Sequence, residues 1–244
     1  LVGSEMCIRD STKEQPENPQ AWLALADVLR TTAAPTADVS VALKQAAKVA
    51  PNETRPRVLL VDHYLGQKDS KAALAAAQDA AAALPDVAEV LAALGRAQAA
   101  AGETHQALAT FNKLANVMPA SPLPYLLMAQ MQLSAKDNKA ALHSLNKAVE
   151  IKADFLPAQR ALVELAVASQ QKDQALALSK SVQKQRPTQT VGYTLEGDVQ
   201  AVFKQWDAAA QSYRASLKLA ASPDVAIRLY SVLNSAGKSA DACL

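Results

Sequence analysis

A ladder of prolines sets the register of this chain. Pro51, Pro85 and Pro119 are evenly spaced, and Pro187 follows two periods after Pro119. A fixed period of this length marks a repeat architecture, in which each copy is one small supersecondary unit. Other ladders keep the same step. Val61, Gly95, Ala129, Val163, Gly197 and Ser231 recur at that interval, and so do Ala73, Ala107, Ala141, Ala175 and Ala209. Small side chains at matched positions of two segments are what two antiparallel helices need in order to approach closely. Proline after the second helix stops it and turns the chain into the next copy.

Within a copy the apolar residues fall at helical spacing. Trp22, Leu25, Ala26 and Leu29 lie at i, i+3, i+4 and i+7, one face of a helix. Half of the 244 residues are hydrophobic, only seven are glycine, and alanine is abundant, which favours helix over strand throughout. The expectation is an all-α chain with units at 19–53, 54–87, 88–121, 122–155, 156–189 and 190–223 and a partial copy at 224–244. The first unit is one residue longer, with the extra residue in its turn. Gly66 is placed in the turn of the second. The opening LVGSEMCIRDS fits neither the repeat nor a usual start and resembles translated adapter sequence, so residues 1–18 are set aside as a foreign or disordered head. The chain stops inside a copy, so it is expected to be a fragment. Cys7 and Cys243 lie in these two ends and carry no disulfide signal.

Charge and motifs exclude several function classes. The net charge is +2, with 25 basic and 23 acidic residues scattered singly, so a nucleic-acid partner is not expected. No apolar run approaches the roughly 20 residues of a membrane span. His63, His105 and His143 are isolated, and H-E-x-x-H, C-x-x-C, G-x-S-x-G and the P-loop are all missing. No catalytic residue, cofactor or metal is expected. The aromatics follow the repeat frame, and nearly all ten are assigned to packing.

Leu91, Leu94, Gly95, Ala107, Phe111 and Pro119 match the tetratricopeptide pattern W-x2-L-G-x2-Y…A-x3-F…P, and Trp22, Leu25 and Ala26 match the start of another copy. The chain from Pro19 onward thus resembles the tetratricopeptide repeat family. The match is imperfect: Arg57 and Gln159 replace the bulky opening residue, Ser179 the aromatic, and Ala153 and Ala221 the proline, which reads as degenerate, weaker repeats. The resemblance implies a right-handed α-solenoid of antiparallel helix hairpins, stabilised as a sum over stacked interfaces. It also implies that the first helices line a concave groove for an extended peptide or a partner protein. Asp27, Asp62, Arg96, Gln130, Glu164 and Asp198 would face that groove, with Arg30, Arg160 and Arg228 nearby. A solvated helix face explains the same ladder equally well.

The later repeats are similar to one bacterial group. Gly192-Tyr193-x-Leu195-Glu196-Gly197-Asp198, followed by Trp206-x-Ala208-Ala209-x-x-Tyr213, resembles the tetratricopeptide lipoproteins of exosortase (PEP-CTERM) systems. That resemblance implies a periplasmic, lipid-anchored scaffold linked to exopolysaccharide production or protein sorting. Two alternatives stand beside it: the regulatory repeat region of a longer enzyme such as a glycosyltransferase, and a cytoplasmic adaptor.

Overall fold

Two helices and a tight turn recur along the chain. The structure is a computed structural model that describes residues 2–238, with side chains from Met6 onward; Cys243 lies outside the described residues. Among the described residues there are fourteen helices and no strand. Helix α1 spans Val2–Glu14, and the first hairpin pairs α2 (Pro19–Thr31) with α3 (Thr36–Val49). The next two hairpins are α4 (Thr54–Gly66) with α5 (Ser70–Ala83) and α6 (Ala88–Ala100) with α7 (Thr104–Val117). Then come α8 (Leu123–Ser134) with α9 (Asn138–Ile151), and α10 (Leu156–Ala168) with α11 (Lys172–Gln185). The sixth hairpin pairs α12 (Thr190–Val202) with α13 (Trp206–Leu219), and α14 (Pro223–Ser235) follows. The helices form two compact units, α1–α7 up to Pro119 and α8–α14 from Ala120.

The turns show why the sequence folds this way. In the second hairpin Lys68 adopts a left-handed φ of 60°, and the Asp69 N–H donates to the Tyr64 carbonyl at 3.0 Å. This closes the first helix with a Schellman motif. The Asp69 side chain then accepts from the Ala72 N–H at 3.0 Å and caps the second helix. Lys136 with Asp137 repeats both halves of the device. Gly102, Gln170 and Lys204 take the same left-handed position. Gly66 does not: it is the last residue of α4, so the turn conformation falls two residues later, on a lysine. The first hairpin carries its extra residue in the turn, where 32–35 replaces a three-residue connection.

Packing between the two helices of a hairpin follows a trade of volumes. Gly95 lies under the Phe111 ring, so closely that a Cβ on it would stand 2.2 Å from Phe111 Cε1. Gly197 lies under Tyr213 in the same way, at 2.5 Å. At the equivalent seats Val61 pairs in sequence with Ala77, Ala129 with Leu145, and Val163 with Ser179, all essentially buried. A large residue on the second helix goes with glycine on the first; a small one goes with valine. Close packing demands this, because neither a void nor an overlap is tolerated in a helix interface. Ser179 is therefore not a defect. Its hydroxyl is satisfied by the Ala175 carbonyl at 2.9 Å, and Val163 supplies the missing bulk.

The opening position of the first helix also does more than fill space. Trp22 Nε1 donates to the Pro16 carbonyl at 2.8 Å, Arg57 Nε to Pro51 at 3.0 Å, and Gln159 Nε2 to Ala153 at 2.8 Å. Each acceptor lies six residues back, beyond the preceding helix end, where no intrahelical donor exists. Arg57 and Gln159 therefore perform the hydrogen-bonding role of tryptophan, which corrects their reading as degenerate. In the third repeat the Leu91 side chain has no donor, and Lys113 Nζ donates to the Pro85 carbonyl instead at 2.9 Å.

Two further expectations are corrected. Residues 2–14 of the head, set aside as foreign or disordered, form α1, and Ile8 packs against the core cluster around α2 and α3. The connection from α13 to α14 is also one residue shorter (220–222) than that from α11 to α12 (186–189). The left-handed turn residue accordingly comes at Gly237, one position early by the frame of Lys136, Gln170 and Lys204. By helix position Tyr230, not Ser231, matches the Gly197 seat, and Tyr230 is 55% exposed. It is the aromatic that packing does not account for.

Candidate functional site

The nine residues singled out on the first helices form three groups by their relation to the fold, and Asp27, Arg30 and Asp62 take part in two of them. In the first unit Asp27, Arg30 and Asp62 line one cleft of about 510 Å³ between α2 and α4. Its floor is apolar and buried, made by Leu23, Ala26, Val39 and Leu43. Its walls carry Gln20 and Ala24 from α2, and Arg55, Leu59 and His63 from α4. Each half follows from helix geometry: Leu23, Ala26 and Asp27 lie three or four residues apart on α2, and so do Arg55, Leu59 and Asp62 on α4. Ala24 contributes only a methyl group to the lining.

The second group is paired within the fold. Arg30 Nη2 meets Asp27 Oδ1 at 2.7 Å along one helix. Arg96 Nη2 of α6 lies 2.8 Å from Asp62 Oδ1 of α4, tying neighbouring first helices together. That oxygen is enclosed and has no aligned hydrogen bond, so the contact is one of charge rather than direction. Both side chains are about 40% exposed. Such a pair contributes less than about 1 kcal/mol.

In the second unit Asp198 is the better-built anchor. Its Oδ1 accepts from the Tyr213 hydroxyl at 2.8 Å and from Arg228 Nη1 at 2.5 Å, so one carboxylate joins α12, α13 and α14. Burial first, then the hydrogen bond to Asp198, raise the Tyr213 phenol above the ordinary tyrosine range. The hydrogen bond to Asp198 likewise holds the Arg228 guanidinium more firmly protonated. Asp198 and Arg228 are thus committed to structure.

Gln130 on α8 and Arg160 and Glu164 on α10 form the third group. They are exposed, and among the described residues their side chains have no hydrogen-bond or ion-pair partner. They are the members of the ladder in the second unit left open to a ligand.

The repeat frame also hid a polar clasp inside three hairpins. Gln98 accepts from Thr110 at 2.7 Å, Gln132 from Ser144 at 2.8 Å, and Gln200 from Ser212 at 2.8 Å. Each pair is separated by 12 residues and bridges the two helices of one hairpin. A glutamine and a hydroxyl recurring together at the repeat step were the signal that would have revealed it.

No cluster of three or more His, Cys, Asp or Glu side chains able to hold a metal exists among the described residues. No helix among them is long and apolar enough to cross a membrane. No protein-family model matches the sequence, and no curated protein does. Solved structures do match. The chain aligns over 92% of its length with a tetratricopeptide repeat protein from Parabacteroides merdae, covering 89% of that chain at 13% identity and a TM-score of 0.62. It aligns over 99% of its length with yeast Tom70, covering 53% of that chain at 13% identity and a TM-score of 0.72. It aligns over 80% of its length with YrrB, described as a tetratricopeptide protein with an unusual peptide-binding site, covering 97% of that chain at 15% identity and a TM-score of 0.50. The fold is that of a tetratricopeptide repeat array. Within this array the cleft is walled by first helices α2 and α4, with Val39 and Leu43 of α3 in its floor, whereas the second helices supply Phe111, Leu145 and Tyr213 to the hairpin interiors.

Proposed function

We propose that this tetratricopeptide array is a non-catalytic scaffold that binds a protein or peptide along its first helices. The observation that carries the reading is the α2–α4 cleft, where an apolar floor is ringed by charged side chains at three positions chosen from sequence alone. Such a mixture orients a ligand by polar contacts while burying its apolar groups. The peptide-binding site named for YrrB adds support by analogy of fold. A photo-crosslinking amino acid placed at Ala24 or Glu164 in the native host should yield defined protein adducts. The same probe at the exposed Gln106 of α7 or Asn146 of α9 should yield none. Adducts confined to the second-helix positions would overturn the reading.

The cellular setting we propose is the bacterial envelope: a periplasmic, lipid-anchored protein serving exopolysaccharide production or exosortase-type sorting. The support is the run from Gly192 to Tyr213 and its resemblance to lipoproteins of those systems. Fractionation of the full-length protein with radiolabelled palmitate tests it. Label in the membrane fraction is the expected result, and an unlabelled cytosolic protein would refute it.

A further inference from the structure

We infer that the α2–α4 cleft selects an extended peptide segment carrying an aliphatic side chain and, two residues away, a glutamate or aspartate whose carboxylate meets Arg55. This rests on the scaffold reading and narrows its ligand. The charges around the cleft decide the sign. Asp27 is neutralised by Arg30 at 2.7 Å and Asp62 by Arg96 at 2.8 Å. His63 has its Nε2 within 3.1 Å of the Thr36 carbonyl. Arg55 has no ion-pair or hydrogen-bond partner among the described residues, and it also borders a second hollow of about 330 Å³ shared with Leu59 and Glu89. It is the charge on this wall left unmatched.

A carboxylate arriving there gains a charge-assisted, bidentate partner without disturbing any existing pair. A cationic ligand would meet carboxylates already balanced by Arg30 and Arg96, with the like charge of Arg55 on the same wall. The spacing follows from α4. Arg55 and Leu59 are one turn apart, so their Cβ atoms are roughly 5–6 Å from each other. Side chains at i and i+2 of an extended strand share one face at roughly 6.6 Å. An aliphatic residue over Leu59 and the floor therefore places the second side chain opposite Arg55. In a peptide that ends on the aliphatic residue the terminal carboxylate belongs to that same residue and does not span the distance.

Fluorescence anisotropy with blocked, amidated peptides containing Leu-Ala-Glu, Leu-Ala-Gln or Leu-Ala-Lys tests this on the full chain. The Glu peptide should bind at least about fivefold more tightly than the Gln peptide, and the Lys peptide more weakly than either. Arg55→Gln should remove the Glu preference while leaving the Gln peptide unchanged. Ala24→Phe should block all three, with helical circular dichroism retained. Equal binding of Glu and Gln peptides, or a preference that survives Arg55→Gln, overturns the inference. So does tighter binding of a free-acid peptide ending in Leu, and so does an absence of binding at millimolar peptide. If any of these occurs while crosslinking from Ala24 or Glu164 still captures a partner, the scaffold reading stands and the cleft assignment alone falls.

Discussion

Exchanging the volumes of one hairpin tests whether Gly95 and Phe111 act as a single packing unit. Phe111→Ala removes a ring that is 1% exposed, a loss of about 3–5 kcal/mol. Gly95→Val by itself drives a side chain into that ring, since even a Cβ would lie 2.2 Å from Phe111 Cε1. Overpacking of this kind costs about 1–3 kcal/mol, against which the better helix propensity of valine returns only about 0.4 kcal/mol. Independent sites would give a double variant weakened by about 4–8 kcal/mol, the sum of the two singles. The combination, however, recreates the Val61 and Ala77 pair of the preceding hairpin, where both residues are fully buried. Gly95→Val with Phe111→Ala should therefore be more stable than Phe111→Ala alone, with a coupling of about 2 kcal/mol or more. Urea denaturation followed by far-ultraviolet circular dichroism on all four proteins measures the cycle. Additive losses would refute the volume trade.

Three further outcomes follow from the turns and anchors. Arg57→Leu should cost about 0.5 kcal/mol by removing the donor to the Pro51 carbonyl, which water can replace, while Arg57→Gln, copying Gln159, should be close to neutral in the same denaturation assay. Lys136→Gly should stabilise the array by about 1 kcal/mol, because a side chain at a φ of 61° is strained, and Gly102→Lys should lose a similar amount. Tyr213 titrates above its unfolded value, so its contribution is complete below about pH 10 and is lost as the pH rises beyond it. The stability of the parent should fall by up to about 1.4 kcal/mol per pH unit there relative to Tyr213→Phe; parallel curves for the two proteins would sink the assignment.

The repeat frame was legible because its signals are local and periodic. Proline, small-residue and alanine ladders depend on single positions, and the structure puts a helix pair on each. The compensations were harder to read because they link two positions at once. Arg57, Gln159 and Ser179 look like losses in a column of equivalents, yet each is balanced by a carbonyl or by a neighbour such as Val163. The site was half legible for the same reason. The ladder located Asp27, Asp62 and Asp198 on the first helices, but their partners stand in three different relations to them. Arg30 is on the same helix as Asp27, Arg96 is a full repeat beyond Asp62, and Arg228 falls short of a full repeat beyond Asp198. No single period predicts all three. Arg55 was passed over because being unpaired is a property of its surroundings, which only three dimensions display.

The size exchange between facing seats bears on how such a chain can be cut and rejoined. A whole hairpin carries both members of its pair and can be moved, duplicated or deleted with its interior intact. A crossover inside the turn at Gly102 would instead join a glycine from one parent to an alanine from another, or valine to phenylalanine, leaving a hole or a collision. Recombination between copies is then tolerated at the closing prolines and penalised at the left-handed turns. At the facing seats, then, the two helices of one repeat are constrained to change together.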